Sequence, residues 1–214
     1  MVSTTLFSYL YSHKAINETN IEKRPNAMSK LLLVVDPQID FITGTLPVPG
    51  AEEALAPLAQ FITDSNGEYA YKVVTTDWHP YNHCSFVEQG GQWPVHCVQF
   101  SAGAGIYQPL IAPLNETSGY TQVLTKGTFA DAEEYSIFRN QLSAEHLHKV
   151  ITVLGITQID VCGLAGDVCV LNTLTDGVKR YGAPMFRVLT KYVSSLDGGK
   201  ALSEFIAAHG IATL

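Results

Sequence analysis

From Lys30 onward the hydrophobic positions fall into short runs separated by regular punctuation. Leu31-Leu32-Leu33-Val34-Val35 is a continuous apolar run, the pattern of a strand buried on both faces. Similar runs predict strands at Lys72–Thr76, Thr121–Thr125, Ile159–Leu164 and Phe186–Thr190, with a last short one at Ile211–Thr213. Between them, helical periodicity predicts helices from about Ala51 to Thr63, from the region of Ser136–Gln141 to just before Gly155, from about Asp167 to Tyr181, and from about Gly198 to His209. Strands alternating with helices imply a three-layer α/β/α domain around a mainly parallel central sheet. The stretch from Asp77 to Gly119 breaks this rhythm. It is rich in Gly, Pro and aromatic residues, and loops of that length in a compact domain are usually functional. Residues 1–27 show no periodicity and read as a flexible leader ahead of one domain spanning residues 28–214.

Composition narrows the class. A chain of 214 residues, 46% hydrophobic, has enough apolar material for one sizeable core. No apolar run approaches the roughly 18 residues of a membrane span, so no membrane role is expected. The formal charge of -7 argues against nucleic acid as a partner, because phosphate binders concentrate Lys and Arg. The cysteines are Cys84, Cys97, Cys162 and Cys169. The only early apolar cluster, Leu6–Tyr11, is too short for a secretory signal, which points to reduced thiols and a cytoplasmic protein.

Position carries the candidate chemistry. Asp36, Asp77 and Lys126 end the first three predicted strands, and Cys169 lies just past the fourth. In an open parallel sheet the carboxyl ends of the strands share one edge, and ligands bind there. Cys169 sits at a strand-to-helix turn, where free N–H groups favour a thiolate and lower its pKa; Cys162, in mid-strand, reads as a small core residue. Lys126 follows a strand that should be mostly buried, so its ammonium needs anionic partners. Asp36 could take the thiol proton and hand it to a leaving group; Asp40, further into the loop, is the weaker candidate. Asp77 and His79 lie two apart at a strand end, and with His96 they form an Asp/His/His set suited to Zn²⁺, Fe²⁺ or Mn²⁺. His83 is open between a ligand and a supporting role. Gly103-Ala104-Gly105 follows no strand and is no dinucleotide fingerprint.

Taken together, Asp36-Pro37-Gln38-Ile39-Asp40-Phe41, Asp77-Trp78-His79-Pro80, Trp93-Pro94-Val95-His96-Cys97, Lys126-Gly127 with Tyr135–Phe138, and Gly163–Val170 resemble the nicotinamidase branch of the isochorismatase-like cysteine hydrolases. The resemblance implies nicotinamide as substrate, converted to nicotinate and ammonia through a thioester. Pyrazinamide, which also has a ring nitrogen and a carboxamide, would be a second substrate. It implies Cys169 as nucleophile, Asp36 as proton acceptor and donor, and Lys126 as the third member of the triad. The backbone N–H groups of Ala165 and Cys169 would form the oxyanion hole, beside a cis peptide at Leu164–Ala165. Asp77, His79 and His96 would hold one divalent metal, zinc first, with iron or manganese as alternatives, and the metal would orient the pyridine ring. Phe41 and Trp93 would wall the ring. A homo-oligomer is compatible with the resemblance. The alternative is a metal-independent relative acting on another small amide or a vinyl ether. Gly166 and Val168 depart from the family pattern, which more often has larger residues there.

Overall fold

A computed structural model of the chain describes residues 29–214; the expected leader lies outside the described residues. Six strands form one sheet: β1 (Ser29–Val35), β2 (Tyr69–Asp77), β3 (Tyr120–Lys126), β4 (Ile156–Gly163), β5 (Phe186–Val193) and β6 (Ala212–Thr213). Their spatial order is β3-β2-β1-β4-β5-β6, and neighbouring strands pair in parallel throughout. Five helices cover it: α1 (Ala51–Asp64), α2 (Ile111–Glu116), α3 (Gln141–Val153), α4 (Leu171–Tyr181) and α5 (Lys200–His209).

The alternation within β1 explains the layers. Leu31, Leu33 and Val35 point into a core with Leu147 and Ile151 of α3, Leu174 of α4 and Leu202 of α5. Leu32 and Val34 point the other way, against Leu55, Leu58 and Ile62 of α1 and Leu114 of α2. All five β1 side chains are fully buried, and burying each stabilises the fold by about 1.5–3 kcal/mol. A strand flanked on both sides and covered on both faces has no polar face to present, hence the unbroken apolar run.

Two elements differ from the sequence expectation. The region before Gly155 begins with a single 3-10 turn (Ile137–Arg139), and α3 starts only after Asn140, whose side chain accepts from the Ser143 N–H at 3.1 Å. α2, six residues long and containing Pro113, is too short to show a helical period.

The strand order places the site. The chain winds outward from β1 to β3, then returns to lay β4 on the other side of β1. That reversal leaves a crevice beyond the carboxyl ends of β1 and β4, where Val35 pairs with Gly163. On the next strands outward, Asp77 pairs directly with Lys126.

Candidate active site and metal centre

Each reactive group emerges where regular structure stops. Asp36 follows β1 directly, with a left-handed backbone (φ 45°) ahead of Pro37. Strain of this kind on a non-glycine residue concentrates at functional sites. Its N–H donates to the Thr75 carbonyl at 3.1 Å, and its Oδ1 accepts from Thr75 Oγ1 at 2.6 Å. Oδ2 lies 2.9 Å from Lys126 Nζ, yet the pair is not aligned as a hydrogen bond, and this fully buried oxygen has no hydrogen-bond partner. A buried carboxylate oxygen with a free lone pair is a proton acceptor in waiting.

Lys126, itself fully buried, contacts three groups. Besides Asp36 it reaches Asp77 Oδ1 at 2.5 Å and Cys169 Sγ at 3.4 Å. Asp36, Asp77 and Cys169 each offer an atom within 4.8 Å of the others, and the ammonium is the cation of that set. Burial would strip its proton, but Asp36 and Asp77 outweigh that and hold its pKa well above the ordinary lysine range. Burial is also the largest influence on Asp36 and raises its pKa; Lys126 offsets this in part, and Asp77 adds to it.

The structure corrects one expectation. Burial pushes the Cys169 thiol well above its usual range, and Asp36 and Asp77 add to the rise, with Lys126 opposing them. Burial and the two carboxylates outweigh any lowering by the strand-to-helix turn. Gly166–Val170 is one wide π-type turn and α4 starts only at Leu171, so the desolvated sulfur rests as a thiol and needs a base. A second expectation also fails: no peptide bond among the described residues is cis, and Leu164–Ala165 is trans. Leu164 donates to the Val35 carbonyl at 2.8 Å and Ala165 is extended (φ -81°, ψ 140°), continuing the line of β4. Among the described residues no backbone or side-chain group accepts from the Ala165 N–H.

The second cluster lies against the first. Asp77 Oδ2 is 3.6 Å from His79 Nε2 and 4.0 Å from His96 Nε2, and one ligand atom from each residue lies within 4.8 Å of the others. The remaining ring nitrogens are occupied: His79 Nδ1 meets the Gly127 carbonyl at 3.0 Å and His96 Nδ1 the Pro94 carbonyl at 2.7 Å. Donation from Nδ1 leaves both Nε2 lone pairs aimed at the same space as the Asp77 carboxylate. The donor set, one carboxylate and two imidazoles with their ligand atoms within 4.8 Å of one another, fits one divalent ion. Burial alone would raise Asp77, but Lys126, His79 and His96 bring its pKa far below the carboxylate range. It therefore stays anionic for either role.

His83, left open by the sequence, is engaged at both nitrogens. Nε2 meets the Ala132 carbonyl at 3.0 Å and Nδ1 accepts from the Ser85 N–H at 3.2 Å, while the ring stacks on His79 at 4.0 Å between centroids. Burial and the neighbouring His79 lower its pKa. In this geometry it supports His79 and offers no free lone pair.

One cavity of about 380 Å³ including its mouth is lined by Asp77, His79 and His96 and by Ala165 and Cys169, while Asp36 and Lys126 are fully buried and do not line it. Phe41 and Trp93 line it as well; Phe41 lies against His96 with centroids 5.5 Å apart, and the Trp93 indole N–H donates to the Tyr135 hydroxyl at 3.0 Å. Sequence reasoning missed Leu46, Val48, Leu196, Ser85 and Glu133, which also line it. None carries a spacing signal, because all arrive from loops, Leu46 and Val48 from the one ahead of α1. Asp40 faces away from the nucleophile and binds backbone instead, accepting from the Cys97 N–H at 2.7 Å and the Thr45 N–H at 3.2 Å.

Residues 30–188 match the Isochorismatase domain family, and the chain belongs to that family. Curated proteins similar to it are named nicotinamidase or nicotinamidase/pyrazinamidase. The nicotinamidase of Escherichia coli is 31% identical over 170 residues, covering 70% of this chain and 76% of its own. The pyrazinamidase of Pyrococcus horikoshii in complex with zinc superposes with a TM-score of 0.73 at 32% identity, covering 87% of this chain and 98% of its own. PnC1 from L. infantum in complex with nicotinate gives a TM-score of 0.75 at 31% identity, covering 88% of this chain and 93% of its own.

Proposed function

We propose that this chain hydrolyses nicotinamide to nicotinate and ammonia, with Cys169 as nucleophile. The carrying observation is that buried Lys126 joins Asp36 and the Cys169 sulfur, and that Cys169 lines a cavity shared with three metal-type ligands. Asp36 accepts the Cys169 proton as sulfur attacks the carboxamide carbon. The oxygen of the tetrahedral intermediate is received by the backbone N–H groups of Ala165 and Cys169, donors of the kind whose loss costs about a hundred- to a thousandfold. Collapse breaks the C–N bond, Asp36 returns its proton to the leaving nitrogen, and ammonia departs from a thioester. Asp36 then takes a proton from water as the water oxygen attacks the acyl carbon; the C–S bond breaks, Asp36 returns that proton to the sulfur, and the acid leaves as nicotinate after losing its own proton to solvent. Lys126 stays protonated throughout and offsets the negative charge that builds on sulfur and on Asp36.

Asp77, His79 and His96 would hold a divalent metal, zinc before iron or manganese, which when bound supplies a Lewis-acid seat for the ring nitrogen. Phe41 and Trp93 flank the ring, and pyrazinamide meets the same requirements. The test is ammonia release from nicotinamide by the purified protein and by Cys169→Ala, with the acyl-enzyme sought by intact mass spectrometry. Full activity in Cys169→Ala would sink the mechanism. Metal content near one equivalent, lost together with activity on chelation, supports the metal's place; activity indifferent to chelators would instead favour a metal-independent hydrolase.

A further inference from the structure

The loop between β5 and α5 is tied to the nucleophile's own turn, and nothing in the chemistry above uses it. Asp167, two residues before Cys169, accepts from the Leu196 N–H at 2.9 Å on one carboxylate oxygen and from the Asp197 N–H at 3.0 Å on the other. The Gly166 N–H donates to the Ser194 carbonyl at 2.7 Å. The two segments pack so closely that a Cβ on Gly166 would lie 2.1 Å from Ser195 Oγ and 2.8 Å from Val193 Cγ1. At its far end the loop is anchored again, where the Asp197 carboxylate accepts from the Gly199 and Ala201 N–H groups at 2.7 and 2.8 Å at the start of α5. The side chain presented by this doubly tied loop is Leu196. It lines the cavity yet is 39% exposed, so it stands at the mouth. Leu46, Val48 and Val168 supply the other aliphatic lining.

We propose that Leu196 sets the size of the ring the cavity admits, and that Asp167 is the positioning residue that keeps it over the mouth. This rests on reading the cavity as the seat of a pyridine carboxamide. The protein then turns over one-ring carboxamides and discriminates against fused two-ring analogues that have the same ring nitrogen and amide, such as quinoline-3-carboxamide. Leu46, Val48, Val168 and Leu196 carry no polar side-chain group, so discrimination at that face is steric.

The experiment compares the metal-loaded wild-type protein with Leu196→Ala, Asp167→Ala and Asp167→Asn. Steady-state kinetics are measured on nicotinamide and quinoline-3-carboxamide. In parallel, alkylation at Cys169 by a bulky fluorescein maleimide and by iodoacetamide is quantified by peptide mass spectrometry, which separates Cys169 from the half-buried Cys84. Leu196→Ala is expected to raise kcat/KM for the two-ring amide relative to nicotinamide by roughly tenfold, the scale of one apolar pocket contact. Asp167→Ala is expected to raise KM for nicotinamide several-fold with kcat within about twofold, and to raise the bulky-to-small alkylation ratio. Asp167→Asn, which keeps one carbonyl acceptor, falls between. An unchanged alkylation ratio in both alanine variants, or a fall in kcat at fixed KM in Asp167→Ala, overturns the proposal. If the wild-type protein releases no ammonia from nicotinamide, the functional reading fails, and the alkylation ratio still decides whether the loop guards the mouth.

Discussion

Replacing Lys126 with methionine keeps length and bulk while deleting one buried charge. In the structure that charge sits 2.9 Å from Asp36 and 2.5 Å from Asp77, with the lysine side chain fully buried. Lys126→Met therefore strands two carboxylates in the protein interior. Breaking a buried ion pair from one side costs about 3–5 kcal/mol, a large part of the roughly 5–15 kcal/mol that holds a domain folded. The loss has a predictable pH dependence. Without the ammonium, the folded-state pKa values of both aspartates move upward from their wild-type positions, while the unfolded chains of variant and wild type titrate alike. Stability relative to wild type is then least impaired below the wild-type folded pKa values and falls as pH rises towards the higher folded values of the variant. Urea unfolding of the metal-free proteins at pH 7 and at pH 5 measures this, with a smaller difference between variant and wild type expected at pH 5. A difference below about 1 kcal/mol that does not change with pH would refute the claim that Lys126 compensates buried anions. A divalent ion on Asp77 should return part of the loss, because that carboxylate is shared.

Asp36→Asn removes the proton acceptor, and kcat on nicotinamide should fall about a hundred- to ten-thousandfold; because it also takes one of two carboxylates from the buried Lys126, the melting temperature should fall as well. In the wild-type protein, burial raises Asp36, so the acid limb of the kcat/KM profile should lie above the ordinary carboxylate value of about 3.9; a limb at or below that value would contradict the assignment. Gly127→Ala places a Cβ 2.3 Å from the His79 ring on a backbone at φ 62°, so a chelator-competition assay should show weakened metal binding, and unchanged affinity would disprove the packing argument. An aldehyde analogue of the substrate should inhibit by a reversible adduct with Cys169 and protect it from alkylation; inhibition persisting in Cys169→Ala would count against that.

The layered fold was legible because its causes are local. Five consecutive buried side chains in β1, helical periods between strands, and the chain-order alternation of the two suffice to predict a parallel sheet with helices on both faces. The same logic brought Asp36, Asp77, Lys126 and Cys169 to one edge, since strand ends in such a sheet share a rim. Local signals could not say which strands become neighbours. Only the order β3-β2-β1-β4 places Asp77 beside Lys126 and so makes one carboxylate serve two clusters. Burial, too, is a sum over the whole molecule: the helix-end argument for an acidic Cys169 considered the turn alone and was outweighed by desolvation and two nearby carboxylates. His83 was ambiguous for the same reason, since its two nitrogens are claimed by Ala132 and Ser85, partners that no spacing rule identifies. Residue types and their period thus determined the layers and the reactive edge. Charge sharing, proton placement and the shape of the pocket mouth were decided by tertiary packing, because each depends on atoms far apart in the chain and close in space.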